Sequence, residues 1–265
     1  MHPILFHFGI FTIYTYGFFI ALGVISGITL AKSEAGRIGI DPDKIMDLCF
    51  YIILFSIIGA RLFYVATNLD FFSHYPIEII KIWNGGLVFY GGFIAALITA
   101  VIVVHIQGLP FSKTADIAGL SVPLGQFLGR LGCLSAGCCY GKACNLPWAI
   151  TFHNPASLAR IGIPLHPTQI YSAVSNLTIF IILFLARKHK RFDGQIFWLY
   201  VLMYGVMRSI IEIFRGDFRG AYVFGMLSIS QAIGLSMAVL ALVMLIVLYI
   251  RSKRSRRDPI VNQQI

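Results

Sequence analysis

The feature that most narrows the folds open to this chain is a succession of seven apolar stretches, each close to the length that crosses a bilayer. A crossing helix needs about 20 predominantly apolar residues, and such runs lie at roughly 10–31, 46–66, 87–107, 114–133, 167–186, 194–212 and 227–250. In lipid every backbone N–H and C=O must find a partner within its own segment, so these runs are expected as helices. Composition agrees: 12% of the 265 residues are charged, where a soluble domain carries about 25%. The 25 glycines suit close helix packing. No repeat, low-complexity tract or linker divides the chain. The expected fold is all-α, a polytopic membrane protein with seven transmembrane helices in a single domain, 1–265, that ends in a basic tail, 251–265.

The net charge of +10 raises nucleic acid as a partner, and the placement of the charge excludes it. Arg251, Lys253, Arg254, Arg256 and Arg257 follow the last apolar run, and Arg187, Lys188, Lys190 and Arg191 fill a short loop between two others. Basic clusters at span ends are a topology signal and a contact for anionic lipid, so the implied partner is the lipid bilayer. Counted on alternate sides, thirteen of the 21 Lys and Arg fall on one face and five (Lys81, Lys142, Arg160, Arg215 and Arg219) on the other. The remaining three, Arg61, Arg130 and Arg208, lie within or at the edges of spans. This places the N-terminus outside, the C-terminus in the cytoplasm, and segments 67–86 and 134–166 on the outer face. Residues Met1 to Gly9 hold no Lys or Arg and no small-residue cleavage site follows, so the first span is expected to be retained rather than removed as a signal.

Ionised side chains inside a span cost about 2.5–3.5 kcal/mol each on insertion scales and read as functional. Arg208 and Glu212 are four residues apart in a stretch that also holds Tyr204 and Arg215, a spacing that puts both charges on one helix face. They form either a self-neutralising staple or part of a polar site at the outer end. Arg130 stands in Gly129-Arg130-Leu131-Gly132 with no acid in helical reach; its fork suits a phosphate, and a structural ion pair is the alternative. Trp83-Asn84-Gly85-Gly86-Leu87-Val88-Phe89-Tyr90-Gly91-Gly92 sets two glycine pairs around aromatic residues, where a ligand can come close to the backbone. His166, in His166-Pro167-Thr168-Gln169-Ile170-Tyr171, precedes a helix start and has either a hydrogen-bonding or a proton-handling role.

Four of the five cysteines cluster at Cys133, Cys138, Cys139 and Cys144, while Cys49 lies in an apolar span. Four cysteines allow three disulfide pairings, and an outer membrane face is oxidising. Disulfide formation or plain packing is the first reading; zinc competes, but this is not a usual zinc-ligand spacing. A nucleophile elbow G-x-S-x-G is nearly met around Ser135, but Cys133 takes the first glycine position and no acid lies near His153 or His166, so a serine hydrolase is set aside.

Taken in order, Tyr14-Thr15-Tyr16-Gly17, the Gly-Gly-x-x-Phe-x-Gly-Gly segment, Gly129-Arg130-Leu131-Gly132, His166-Pro167-Thr168-Gln169-x-Tyr171 and Tyr204-Gly-x-x-Arg208-x-x-x-Glu212 resemble the prolipoprotein diacylglyceryl transferases over nearly the whole chain. That resemblance implies a bacterial inner-membrane enzyme of seven helices with its N-terminus periplasmic. Its reaction moves a diacylglyceryl group from phosphatidylglycerol to the thiol of a prolipoprotein lipobox cysteine, forming a thioether and releasing glycerol phosphate. It needs no cofactor and no metal. By position it makes Arg130, Arg208, Glu212 and Tyr90 the candidate catalytic residues, with Arg130, Tyr16, Gly85, Gly86, Gly91, Tyr204 and His166 at the phosphatidylglycerol site.

Two departures stand out. Tyr90 replaces the usual motif histidine, and in the segment Gly-Arg-x-Gly-Asn-Phe-x-Asn-x-Glu two amides and the acid give way to Cys133, Ala136 and Cys138. The chain is thus similar to a cysteine-rich variant of the family. Pre-placed arginines favour a leaving phosphate where water is excluded, and the attacking thiol, with an ordinary value of about 8.5, needs a base or a positive field. Glu212 either orients Arg208 or acts as base; Tyr90 serves only if an arginine favours its phenolate. The rival readings are a non-catalytic lipid- or lipoprotein-binding member, a transferase with another acceptor, and a transporter, which the lack of internal repeats disfavours.

Overall fold

The computed structural model describes residues 2–8, 11–216, 222–223 and 227–257. Arg219 and residues 258–265 of the basic tail lie outside the described residues. The chain begins not with helix but with a hairpin, β1 (Ile4–Phe8) against β2 (Phe11–Tyr14). The sequence reading placed 11–14 in the first helix; aromatic and β-branched residues dominate here and suit a strand. The hairpin is tied off by Thr15, whose N–H donates to Pro3 O at 3.0 Å and whose hydroxyl donates to His2 O at 2.5 Å.

Among the described residues seven helices are long and apolar enough to cross a membrane, as the hydropathy pattern predicts. They are α1 (Thr15–Arg37), α2 (Pro42–Thr67), α4 (Phe89–Ile106), α5 (Phe111–Ala136), α6 (Thr168–Ala186), α7 (Gln195–Ile213) and α8 (Ile229–Arg257). A short helix, α3 (Leu69–His74), and two 3₁₀ turns lie between α2 and α4. A third 3₁₀ turn (Arg187–His189) follows α6, and three two-stranded antiparallel ribbons complete the described elements: the opening hairpin, β3 (Ile150–Thr151) with β4 (Pro164–Leu165), and β5 (Tyr222–Val223) with β6 (Leu227–Ser228).

The packing separates into two compact units, Ala31–Thr114 and 1–30 with 115–265. In the first, α2 and α4 cross on glycine. A Cβ on Gly91 would lie 2.3 Å from Phe63 Cβ and 2.5 Å from Gly59 O, so the backbones meet at a distance no other residue allows. In the second, α1 crosses α5 where a Cβ on Gly23 would meet Gly125 O at 2.9 Å, and α7 crosses α8 where one on Gly205 would meet Gly234 O at 2.6 Å. Leu120, Ile179, Leu183 and Ile196 fill the space among α5, α6 and α7. Asp116, buried on α5, accepts from the N–H groups of Gly194 and Phe197 at 2.9 and 3.1 Å. It caps the first turn of α7 from a neighbouring helix and so sets where Arg208 and Glu212 emerge.

Candidate active site

The last two turns of α7 present Tyr204, Arg208 and Glu212 at intervals of four residues. Arg208 Nη1 donates to Glu212 Oε2, with both side chains largely buried. The staple reading is incomplete, because the carboxylate has further partners. Arg215 Nε stands 3.8 Å from the same oxygen, and Ser228 Oγ donates to Glu212 Oε1 at 3.2 Å. One acid therefore serves two buried guanidiniums, a cluster of charged donors that suits an anionic ligand.

Arg215 lies beyond the helix and is held in place by backbone. Gly141 and Arg215 form a bridge, Lys142 N–H donates to Phe214 O at 2.9 Å, and Gly216 N–H donates to Tyr140 O at 3.2 Å. On the other side of the same short strand, Gly141 N–H donates to His166 O and His166 N–H to Lys142 O, at 3.0 and 2.9 Å. A Cβ on Gly141 would lie 2.5 Å from His166 Cβ and 2.7 Å from Phe214 O, so glycine is required for this three-layer contact. The His166 ring packs on Phe214 and its Nδ1 is 3.3 Å from Tyr171 Oη, which also takes a bond from Trp148 Nε1 at 2.8 Å. His166 thus has a hydrogen-bonding role in an aromatic cluster.

The rest of that motif acts on the cysteines. Thr168 Oγ1 donates to Cys139 O at 2.7 Å and Gln169 Nε2 to Cys138 O at 2.9 Å; both side chains are buried. These bonds grip a turn in which Cys139 adopts φ +62°, the only positive φ at a non-glycine among the described residues. The Sγ atoms of Cys133, Cys138 and Cys139 all lie within 4.8 Å of one another, and Cys144 stands outside the group. The three thiols share charge unequally. Donation from Cys133 and Cys138, reinforced by the Arg215 guanidinium, pulls the Cys139 thiol below its ordinary range. Hydrogen bonding to Cys133 and Cys139, with burial added, pushes Cys138 above it. The cluster holds one thiolate readily and a second only at a cost.

Arg130, on the last turns of α5, lies within electrostatic reach of Tyr204, Cys133, Cys139 and Arg215. Tyr16, on the first turn of α1, faces Cys133, Cys138, Cys139 and Arg130, and its backbone passes over Gly132, where a Cβ would meet Tyr16 O at 3.2 Å. Among the described residues no carboxylate pairs with Arg130. Six of the expected site residues, Tyr16, Arg130, His166, Tyr204, Arg208 and Glu212, therefore fall in one compact unit. Arg215 and the three cysteines, to which the sequence reading gave no such place, join them.

Gly85, Gly86, Tyr90 and Gly91 belong to the other unit. Tyr90 is exposed in the first turn of α4, against Phe89, and Gly91 is buried at the α2 crossing. The glycine pair has a partner that sequence reasoning left without a role: Arg61, buried on α2. Its guanidinium donates to Ile79 O at 2.9 Å, Gly85 O at 2.7 Å and Gly86 O at 3.1 Å, and also to Glu78 O. Gly85 and Gly86 have φ +83° and +73°, and a Cβ on Gly86 would strike Tyr64 at 2.4 Å. The signal was present, since a charge within a span is functional by the same rule that picked out Arg208.

The chain matches the family model for prolipoprotein diacylglyceryl transferase over residues 3–247. Among curated proteins it is 38% identical to a phosphatidylglycerol--prolipoprotein diacylglyceryl transferase from Clostridium tetani, covering 89% of this chain and 93% of that one. Relatives with the same name from Finegoldia magna and Lysinibacillus sphaericus are 35% and 34% identical, covering 86% and 88% of this chain and 88% and 90% of theirs.

Proposed function

This chain belongs to the prolipoprotein diacylglyceryl transferase family, and from that premise we propose that it transfers a diacylglyceryl group from phosphatidylglycerol to the lipobox cysteine of an exported prolipoprotein. The observation that carries the reading is the gathering in one unit of Arg208 and Arg215, which share Glu212, with Arg130, which lies within electrostatic reach of Arg215. A phosphodiester is the ligand that such a cluster of planar, permanently charged donors fits.

The chemistry is displacement at a glycerol carbon. The substrate thiol gives up its proton to water, its sulfur forms a C–S bond, the carbon–oxygen bond to phosphate breaks, and glycerol phosphate leaves with the electron pair. Arg130 and Arg208 hold the phosphodiester and take up the charge that develops on the leaving oxygen. Glu212 orients Arg208 and Arg215. Tyr16 and Tyr204 line the approach, and Tyr90, Gly85, Gly86 and Gly91 take part by their place in the family motif. The enzyme sits in the bacterial inner membrane with its N-terminus periplasmic, a topology supported by thirteen basic residues against five.

Purified protein incubated with phosphatidylglycerol and a lipobox peptide should yield a peptide heavier by one diacylglyceryl group, detected by mass spectrometry. Arg130→Ala should abolish that product; undiminished transfer by the variant would overturn the assignment of the arginine. A wild-type protein that binds the peptide yet never modifies it would favour the non-catalytic reading.

A further inference from the structure

We propose that Cys133, Cys138 and Cys139 form a three-thiolate site for a thiophilic divalent cation, zinc in the first place, whose fourth position takes the thiol of the protein substrate. The proposal rests on the transferase reading above and deepens it, because the reaction needs a sulfur nucleophile for which the variant motif leaves no evident base.

Three observations converge. The Sγ atoms lie within 4.8 Å of one another. Tetrahedral zinc at about 2.3 Å from each sulfur separates the sulfurs by about 3.8 Å, so closing on the metal takes movements of under about 1 Å. The backbone is built toward this arrangement: Cys139 is held at φ +62°, a conformation that costs a non-glycine residue of order 1 kcal/mol, by two buried side chains, Thr168 and Gln169, gripping the carbonyls of Cys139 and Cys138. A mere packing role requires no such clamp. Finally, three thiolates around zinc carry one net negative charge, and the Arg130 and Arg215 guanidiniums lie within electrostatic reach of the cluster.

The pattern of exposure fits chemistry rather than scaffolding. Structural zinc is closed by four protein ligands, whereas catalytic sites hold it with three and keep one position open. Here Cys133 is buried while Cys138 and Cys139 are partly accessible, and Cys144 lies outside the group. An incoming thiol releases its proton to water on binding the cation and is held as thiolate. Its sulfur then displaces the phosphate oxygen at the glycerol carbon. One C–S bond forms, one C–O bond breaks, and the electron pair leaves on glycerol phosphate.

The test uses full-length protein in nanodiscs, fully reduced, stripped of metal and titrated with Co²⁺. One equivalent should bind with intense thiolate-to-cobalt charge-transfer absorption, which Zn²⁺ bleaches by displacement. Cys138→Ser should weaken binding at least tenfold, and Cys144→Ser should leave it unchanged. Cys133→His, which keeps a ligand atom, should bind with a shifted spectrum, an outcome that misfolding does not give. A lipobox peptide should alter the cobalt ligand-field bands, and its serine counterpart should not. No charge-transfer absorption in protein whose five cysteines titrate as free thiols would overturn the site. So would an undiminished band in Cys138→Ser. Metal-free protein that transfers at the zinc-loaded rate would overturn the catalytic role while leaving the transferase reading intact. Normal metal and peptide binding with no transfer from any phospholipid would instead refute the transferase reading and keep the site.

Discussion

Replacing Arg61 with methionine should loosen the segment between α2 and α4 without loosening either helix. Methionine keeps an apolar stem against Tyr64 and Phe72, over whose rings the guanidinium carbon sits at 5.6 and 5.3 Å, and deletes the donors. Those donors reach the carbonyls of Glu78, Ile79, Gly85 and Gly86 from a residue only 7% exposed. A hydrogen bond from a charged donor is worth about 1.5–3 kcal/mol net, and the bonds share one guanidinium, so their values do not add. Counting two as independent gives about 3–6 kcal/mol. At about 1.4 kcal/mol per decade, amide exchange across 78–88 should speed up by roughly two to four orders of magnitude. Mid-helix amides of α2 and α4, whose glycine crossing is untouched, should keep their protection. Hydrogen–deuterium exchange with mass spectrometry in nanodiscs reads both at once. Arg61→Lys should fall between, since an ammonium cannot span the same fork of acceptors. A change below about threefold in Arg61→Met would refute the claim that this side chain orders the segment.

Other outcomes follow from the same geometry. Glu212→Gln keeps the shape but removes the negative charge that Arg208 and Arg215 share. Breaking a buried pair costs about 3–5 kcal/mol and glutamine retains a hydrogen bond, so transfer should slow by roughly 10- to 100-fold; a rate within threefold of wild type would show that the acid is dispensable. Gly205→Val places carbon where Gly234 O stands 2.6 Å from an added Cβ; overpacking of this kind costs about 1–3 kcal/mol and should lower the thermal midpoint in detergent, with the rest of the α7–α8 face unchanged. Burial works against the Lys190 ammonium, but Asp193 and Asp116 outweigh it and raise its pKa. A raised lysine stabilises the fold fully below its unfolded value of about 10.4 and loses that contribution as pH rises through the folded value. The difference in thermal midpoint between wild type and Lys190→Met should therefore be constant from about pH 6 to 9 and shrink above about 10.5.

Most of the architecture was legible in the residues because bilayer crossing is a local property. Twenty apolar residues must be a helix wherever they lie, so the seven spans and the α7 charge spacing followed from the chain alone. The hairpin at 4–14 did not follow, since an apolar stretch with aromatic and β-branched residues reads equally as helix or strand until a partner strand pairs with it. The motif residues Tyr16, Arg130, Tyr204, Arg208 and Glu212 were visible as costly charges or as parts of a family pattern. Other features belong to the tertiary structure. The meeting of Cys133 with Cys138 and Cys139, the clamp supplied by Thr168 and Gln169, the reach of Arg215 to Glu212 and that of Arg61 to Gly85 join groups up to 31 residues apart. Spacing along a chain states what a helix face can hold. It does not state which turn a hydroxyl or an amide from the next helix will grip, and here that grip decides where the thiols point.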